Sequence, residues 1–168
     1  MVANGLGSGS HAAVTADYPI DEWREVVFTH LDAVFFCMHA QIPALIRSGG
    51  GSIVNIASVL GLVAWPQAPA YVAAKHGVIG LTKAAAVEYA AKGVRVNAVA
   101  PGILETSLLT DAGVTVGSEM QAFIAEKHAV GRLGTPEEIA EAAIWLLSDG
   151  ASFTTGATLS VDGGFTAL

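Results

Sequence analysis

Two kinds of apolar pattern recur along this chain: stripes at helical spacing and short unbroken runs. Between Asp21 and Arg47 the residues Val27, Leu31, Val34, Met38, Ile42 and Leu45 fall near one stripe, which predicts a helix with one buried face. Pro43 should kink it near its end. Ser48 to Gly51 is a glycine-rich stop, and Ser52 to Ala57 reads as a buried strand. Val59 to Pro69 is a loop carrying Trp65, Pro66 and Gln67. Ala70 to Lys92 predicts an alanine-rich helix whose small residues, Ala73, Ala74, Gly77, Gly80, Ala84 and Ala85, permit close approach of another element. Val94 to Val99 predicts a second strand, Leu104 to Ser118 an irregular lid, and Glu119 to His128 a short helix. Thr135-Pro136-Glu137-Glu138 combines a cap, a first-turn proline and a capping-box glutamate, starting a helix that runs to about Leu147. Thr158 to Val161 is the third strand. This order predicts an α/β fold, a parallel sheet with flanking helices and right-handed crossovers, in a single domain spanning 1–168. No internal repeat or long linker interrupts it.

Composition narrows the function classes. The chain is 52% hydrophobic and 14% charged, which suits parallel strands covered on both faces or extra surface buried against other subunits. A net charge of −7 argues against nucleic acid or an anionic membrane as partner. No unbroken apolar run reaches the length of a spanning helix, so no membrane segment is expected. The N-terminus has no basic region followed by an apolar core, which argues against a signal peptide. Cys37 is the single cysteine; it excludes an internal disulfide, fits a reducing cytoplasm, and beside Phe35, Phe36 and Met38 reads as a core residue. His11, His39, His76 and His128 fall at no spacing that suggests a metal site, so none is assigned.

Candidate chemistry enters with Tyr71 and Lys75. Four residues apart on a helix, they share a face. A free tyrosine titrates near ~10, and a neighbouring cation favours the phenolate and lowers that value. The pair can then give or take a proton at a carbonyl or alcohol oxygen. The spacing alone is common, and a packed tyrosine beside a solvated lysine is the plainer reading of it. The order of the surrounding residues is more specific. Ser58 ends the run Gly51-Ser52-Ile53-Val54-Asn55-Ile56-Ala57-Ser58; His76-Gly77-Val78 follows Lys75; Val94-Arg95-Val96-Asn97-Ala98-Val99-Ala100-Pro101-Gly102 leads to Thr106; and Leu159-Ser160-Val161-Asp162-Gly163-Gly164 closes the chain.

From about Asp21 onward this ordered set resembles the short-chain dehydrogenase/reductase family. The resemblance implies a Rossmann-like doubly wound fold and an NAD(P)-dependent oxidoreductase that interconverts an alcohol and a carbonyl by hydride transfer. By position, Tyr71 matches the catalytic acid/base and Lys75 the lysine that tunes it and binds the nicotinamide ribose. Ser58 matches the serine that holds the reacting oxygen. Pro101 and Gly102 match the turn beside the nicotinamide, Ile103 a backbone contact to its carboxamide, and Thr106 a hydroxyl at the same end. Val2-Ala3-Asn4-Gly5 resembles the family's Asn-Ala-Gly motif, which adds Asn4 and Gly5 to the cofactor candidates. Trp65, Gln67, Leu104, Leu108 and Leu109 are candidates for lining a substrate pocket. The implied cofactor is NAD or NADP, the partner a small-molecule alcohol or carbonyl substrate, and the assembly a homo-oligomer, dimer or tetramer.

Two departures qualify the resemblance. Thr29-His30-Leu31 stands where the family usually has an asparagine in a proton relay, and His30 can donate and accept in its place or simply pack beside the helix. Gly5-Leu6-Gly7-Ser8-Gly9-Ser10 has no strand before it and no apolar helix directly after it, so it fails as the phosphate-cradling turn. The sequence expectation is therefore a truncated fold lacking three strand-helix units, roughly ninety residues at ~30 per unit, with an exposed sheet edge. The alternative function is a non-catalytic half-domain that acts only as an oligomerising or partner subunit.

Overall fold

The computed structural model describes residues 2–4, 12–106, 109–110 and 113–168, with the backbone alone for 2–4. Four strands, β1 (Val2–Asn4), β2 (Gly51–Ile56), β3 (Val94–Pro101) and β4 (Thr158–Val161), form one parallel sheet in sequence order. The expected α/β, Rossmann-like parallel sheet is present, with one strand more than the three foreseen. Val2–Asn4 pair with Ile53–Asn55 along the edge of β2 that was expected to lie open. Three residues are too few to show a period, so only the pairing partner reveals this strand.

The first helical stretch is α1 (Ile20–Val27), a π-helical turn (Phe28–Asp32) and α2 (Ala33–Arg47), and it continues through Pro43 to its end. Its buried positions are Val26, His30, Val34, Met38 and Ile42. The expected stripe began at Val27 and Leu31. The wider π turn adds a residue to the helix and moves the first half of the stripe back by one. That shift carries His30 inward. An 18-residue window within Ile20–Arg47 reaches a mean hydropathy of 1.2, so by length and composition alone this stretch is long and apolar enough to cross a membrane, although no unbroken apolar run is. Here its buried stripe covers the sheet: Met38 and Ile42 cluster with Ile53, Val94 and Val96. Phe35 and Phe36 point outward and Cys37 is half-buried, so of that quartet Met38 alone is core.

The second long helix, α3 (Pro69–Tyr89), packs on the same sheet face, with Val78 and Ile79 against Ala57 and Ala98. Gly77 allows the close approach foreseen from the small residues: a Cβ there would lie 2.9 Å from Leu31. Two shorter helices follow, α4 (Glu119–Ala125) and α5 (Pro136–Leu147). The α5 capping box forms as read, with Thr135 N–H donating to Glu138 at 2.9 Å. Ile139, Ala143 and Leu146 of α5 cluster with Val54, Val99 and Leu159, on the face opposite α2 and α3. The strands step across the sheet in one direction. A helix on the opposite face therefore gives the β3-to-β4 connection the opposite hand from the first two, and uniform right-handed crossovers do not hold. Side chains of β3 pin this last unit. Arg95, expected at the surface, donates to the carbonyls of Leu146, Ser148 and Thr154 at 2.8–3.3 Å. Asn97 donates to Thr154 O at 2.8 Å and accepts from Ala157 N–H at 3.0 Å.

Candidate active site

Strand β2 delivers Ser58 to the carboxyl edge of the sheet. The pairing extends one residue past the strand, with Ala57 N–H donating to Val99 O at 2.8 Å. Ser58 is fully extended, and its hydroxyl accepts from Leu60 N–H at 3.1 Å, capping the short turn Val59–Gly61. This turn folds tightly onto α3: a Cβ on Gly61 would lie 2.8 Å from the Lys75 carbonyl. The glycine thus lets the segment after Ser58 lie against the turn of α3 that carries Lys75. Tyr71, one turn earlier, faces the Ser58 hydroxyl, which favours its phenolate.

Lys75 is 3% exposed, and its ammonium donates to Ile56 O at 3.1 Å and lies 5.5 Å from the centroid of the Tyr71 ring. Removal from water disfavours its charge and lowers its pKa to about 8. Burial holds the Tyr71 phenol above its usual value, with the Ser58 hydrogen bond working in the other direction. The sequence expectation was a lowered tyrosine pKa; here desolvation outweighs the stabilisation of the phenolate. The site therefore holds a neutral phenol next to a partly destabilised ammonium. That arrangement suits proton donation to an oxygen. His30 completes this side, 2% exposed, with its ring edge-on to Tyr71 at 4.9 Å between centroids.

The neighbouring strand builds the second side. After Pro101, Gly102 N–H donates to Val161 O at 3.0 Å, which ties the turn to β4. A Cβ on Gly102 would lie 2.9 Å from His128 Nε2 and 3.0 Å from Asp162 Cα, so only glycine fits between them. Ile103 N–H, expected to meet a carboxamide, donates to His128 Nε2 at 3.1 Å instead, so a carboxamide would need another donor on this turn. Thr106 is half-buried, and its carbonyl accepts from Leu109 N–H at 3.1 Å.

The pocket candidates fare unevenly. Trp65 is half-buried, 6.3 Å from the Phe165 ring. Gln67 is exposed with φ 63°, and its carbonyl accepts from Ala13 N–H at 3.3 Å. Leu104 packs against the Val54, Val99 and Ile139 cluster and also lines a cleft with Gly102, Ile103 and His128. Leu109 is half-buried. Asn4 lies on β1 opposite Asn55, while Gly5 and Leu108 lie outside the described residues.

Ser58, Tyr71, Lys75 and His30 thus meet, and Pro101, Gly102 and Ile103 lie at the same edge on the adjacent strand. The sequence reading passed over His128, Asp162 and Phe165 as site residues. The Asp162 carboxylate accepts from Gly164 N–H, Thr166 N–H and the Thr166 hydroxyl, holding the tight turn at Gly163 and Gly164, both in the left-handed region as the glycine pair predicts. No spacing signal links these residues to Ile103, because loops bring them together. Among the described residues no cluster of His, Cys, Asp and Glu suits a metal.

Comparison with known proteins agrees with this geometry. A family profile described as enoyl-(acyl carrier protein) reductase matches residues 1–166. The chain is 46% identical over 166 residues to the cyclohexanol dehydrogenase of Acinetobacter sp. (strain SE19), covering 99% of this chain and 63% of that protein. It is 44% identical over 168 residues to the cis-4-hydroxycyclohexanecarboxylate dehydrogenase of Sinomonas cyclohexanicum, covering 100% of this chain and 66% of that one. The crystal structure of a gluconate 5-dehydrogenase from Burkholderia cenocepacia J2315, in complex with NADP and tartrate, superposes with a TM-score of 0.92 at 32% identity, covering 99% of this chain and 65% of that one. The chain spans a little under two thirds of the length of these relatives. With the profile covering nearly every residue, and the Ser58, Tyr71 and Lys75 constellation assembled at the carboxyl edge of a parallel sheet, the chain belongs to the short-chain dehydrogenase/reductase family.

Proposed function

We propose that this chain carries the catalytic part of an NAD(P)-dependent oxidoreductase that interconverts a secondary alcohol and a carbonyl. The observation that carries this reading is Tyr71 facing the Ser58 hydroxyl, with the buried Lys75 ammonium 5.5 Å from its ring. The dinucleotide, when bound, supplies or takes the hydride. Tyr71 passes the proton to or from the substrate oxygen, which Ser58 holds by a hydrogen bond. A positioned acid/base of this kind contributes about 10²–10⁴-fold in rate. The Lys75 ammonium fits a ribose diol: it has three donors, and Ile56 O is its one partner among the described residues. Such hydroxyls would offset the desolvation that now lowers its pKa and would hold the cation beside Tyr71. His30, edge-on to Tyr71, stands where a relay from the site would begin. Pro101 and Gly102 form the wall against which the nicotinamide ring would lie, with Thr106 at its end, and Asn4 and Gly5 lead from β1 toward the same edge.

Two of the relatives are named for alcohols on a cyclohexane ring, so a ring secondary alcohol is the substrate class to try first. Trp65 and Phe165 supply an apolar wall suited to such a ring. The exposed aromatic residues Trp23, Phe28, Phe35 and Phe36 on the first helical stretch favour self-association into a dimer or tetramer.

The other reading, a non-catalytic oligomerising or partner subunit, predicts that no dinucleotide binds. Thermal unfolding with and without NADH and NADPH separates the two. A transition raised by either dinucleotide supports the oxidoreductase, through linkage of binding to folding. A cooperative transition that neither one moves supports the partner subunit.

A further inference from the structure

We propose that His128 is a positioning residue: in its neutral, Nδ1-protonated tautomer it latches the Pro101–Ile103 turn to the end of α4. The imidazole is 3% exposed, and both nitrogens are engaged. Nδ1 lies 3.0 Å from Ile124 O, an atom that only accepts, so Nδ1 carries the hydrogen. Nε2 receives Ile103 N–H at 3.1 Å and must offer its lone pair. The Phe165 ring, 5.2 Å away, closes the far side, and the missing side chain of Gly102 leaves the ring its place. One side chain therefore joins three segments: the turn after β3, the end of α4, and the C-terminal turn.

The latch holds in one protonation state only. A second proton on the ring would set an Nε2–H donor against the Ile103 N–H donor, with no acceptor between them. The charged groups around the ring are otherwise occupied. Asp162 and the Arg132–Glu138 pair line the same cleft of about 140 Å³. The Asp162 carboxylate is taken by Gly164 and Thr166, and Arg132 and Glu138 hold each other at 2.6 and 3.0 Å. Lys127 on the same segment lies over the Phe123 ring, and Glu126 and Glu105 are exposed. Among the described residues none of these hydrogen-bonds the imidazole. Protonating His128 thus releases the Ile103 N–H and loosens this end of the turn, which then rests on the bonds of Ile103 O and Glu105 N–H to Gly134. Where this turn faces a nicotinamide, which rests on the oxidoreductase reading, unlatching weakens dinucleotide binding.

The test combines two variants with a readout that needs no cofactor. In 15N-labelled chain, the His128 ring nitrogens should report the Nδ1–H tautomer at mildly alkaline pH. The Ile103 amide should shift with the same midpoint as His128 on acidification. His128→Gln, which keeps an acceptor near the Nε2 position, should hold NADPH within about threefold of wild type and lose this pH dependence, whereas His128→Leu should bind about tenfold more weakly. An Nε2–H tautomer, or an Ile103 amide that stays still while His128 titrates, overturns the latch. Equal NADPH affinity in His128→Leu and wild type overturns its role in binding. If wild type binds neither dinucleotide, the oxidoreductase reading fails, while the tautomer and the Ile103 amide still decide whether the latch exists.

Discussion

The two sides of the site are built by different means. On one side, Ser58, Tyr71, Lys75 and His30 are aimed by β2, α3 and the π turn, elements locked to the sheet by buried residues such as Val34, Val78 and Ile79. On the other, Gly102 and Ile103 are held by a few loop hydrogen bonds: Gly102 N–H to Val161 O, Ile103 N–H to His128, and Gly134 N–H to Ile103 O. A side chain placed by a packed helix moves only if the core moves. A turn held by a few bonds of about 1 kcal/mol net each opens locally at lower cost. The first side is therefore expected to be rigid chemistry and the second an adjustable fit to the ligand.

Substitutions can break or sharpen that contrast. The largest effect is expected from Tyr71→Phe. It removes the proton carrier and keeps the ring against His30, so turnover should fall about 10²–10⁴-fold with an unchanged melting temperature. Near-normal turnover in this variant would sink the assignment of Tyr71. On the second side, Gly102→Val forces a Cβ to within 2.9 Å of His128 and 3.0 Å of the Asp162 backbone. Overpacking should destabilise the chain by about 1–3 kcal/mol and weaken dinucleotide binding, as read by denaturant titration and fluorescence. A variant with wild-type stability would show that this turn yields far more easily than its neighbours allow.

Lys75→Met separates stability from function. The buried ammonium is disfavoured in the fold, so the variant should gain on the order of 1 kcal/mol at neutral pH while losing turnover. The pH dependence carries the sign. The folded pKa, about 8, lies below the usual lysine value of 10.5, so between these values the unfolded chain binds the extra proton. Wild-type stability should rise with pH across that window and lose this contribution as pH falls through about 8. Melting curves from neutral to alkaline pH should show the Lys75 part of the rise in wild type and not in Lys75→Met; parallel curves would mean that Lys75 is hydrated in solution. The smallest effect is a control on α3. A Cβ at Gly80 meets nothing within 4 Å, so Gly80→Ala should stabilise the helix by about 0.5–1 kcal/mol without touching the site. A loss of stability would mean that this face of α3 is covered in solution.

The legibility of the molecule in its sequence follows the same division. The long helices, the strands Gly51–Ile56 and Thr158–Val161, and the capping box at Thr135 could be read because apolar period and local capping chemistry are properties of neighbouring residues. Tyr71 and Lys75 could be paired because they share a helix turn, but Ser58 was singled out by the family resemblance of the ordered motifs and not by spacing. The π turn was invisible because one added residue changes a hydrophobic stripe by less than its natural scatter. It nonetheless decided that His30 faces Tyr71.

By itself, then, the sequence determined the α/β class and the order of the elements, since each is set by local spacing, while Ser58, Tyr71 and Lys75 stood out only through the resemblance of their ordered motifs. Only the tertiary structure decided that Val2–Asn4 pair with β2 and that α5 covers the opposite sheet face. It alone brought His128 to Ile103 across a sequence separation of 25. It also set the Tyr71 phenol above its usual pKa, where sequence reasoning from a neighbouring cation pointed downward. The physical reason is common to all four. Strand pairing, sheet-face choice, loop-to-loop hydrogen bonds and desolvation depend on which distant groups exclude water together, and spacing along a chain carries no record of that.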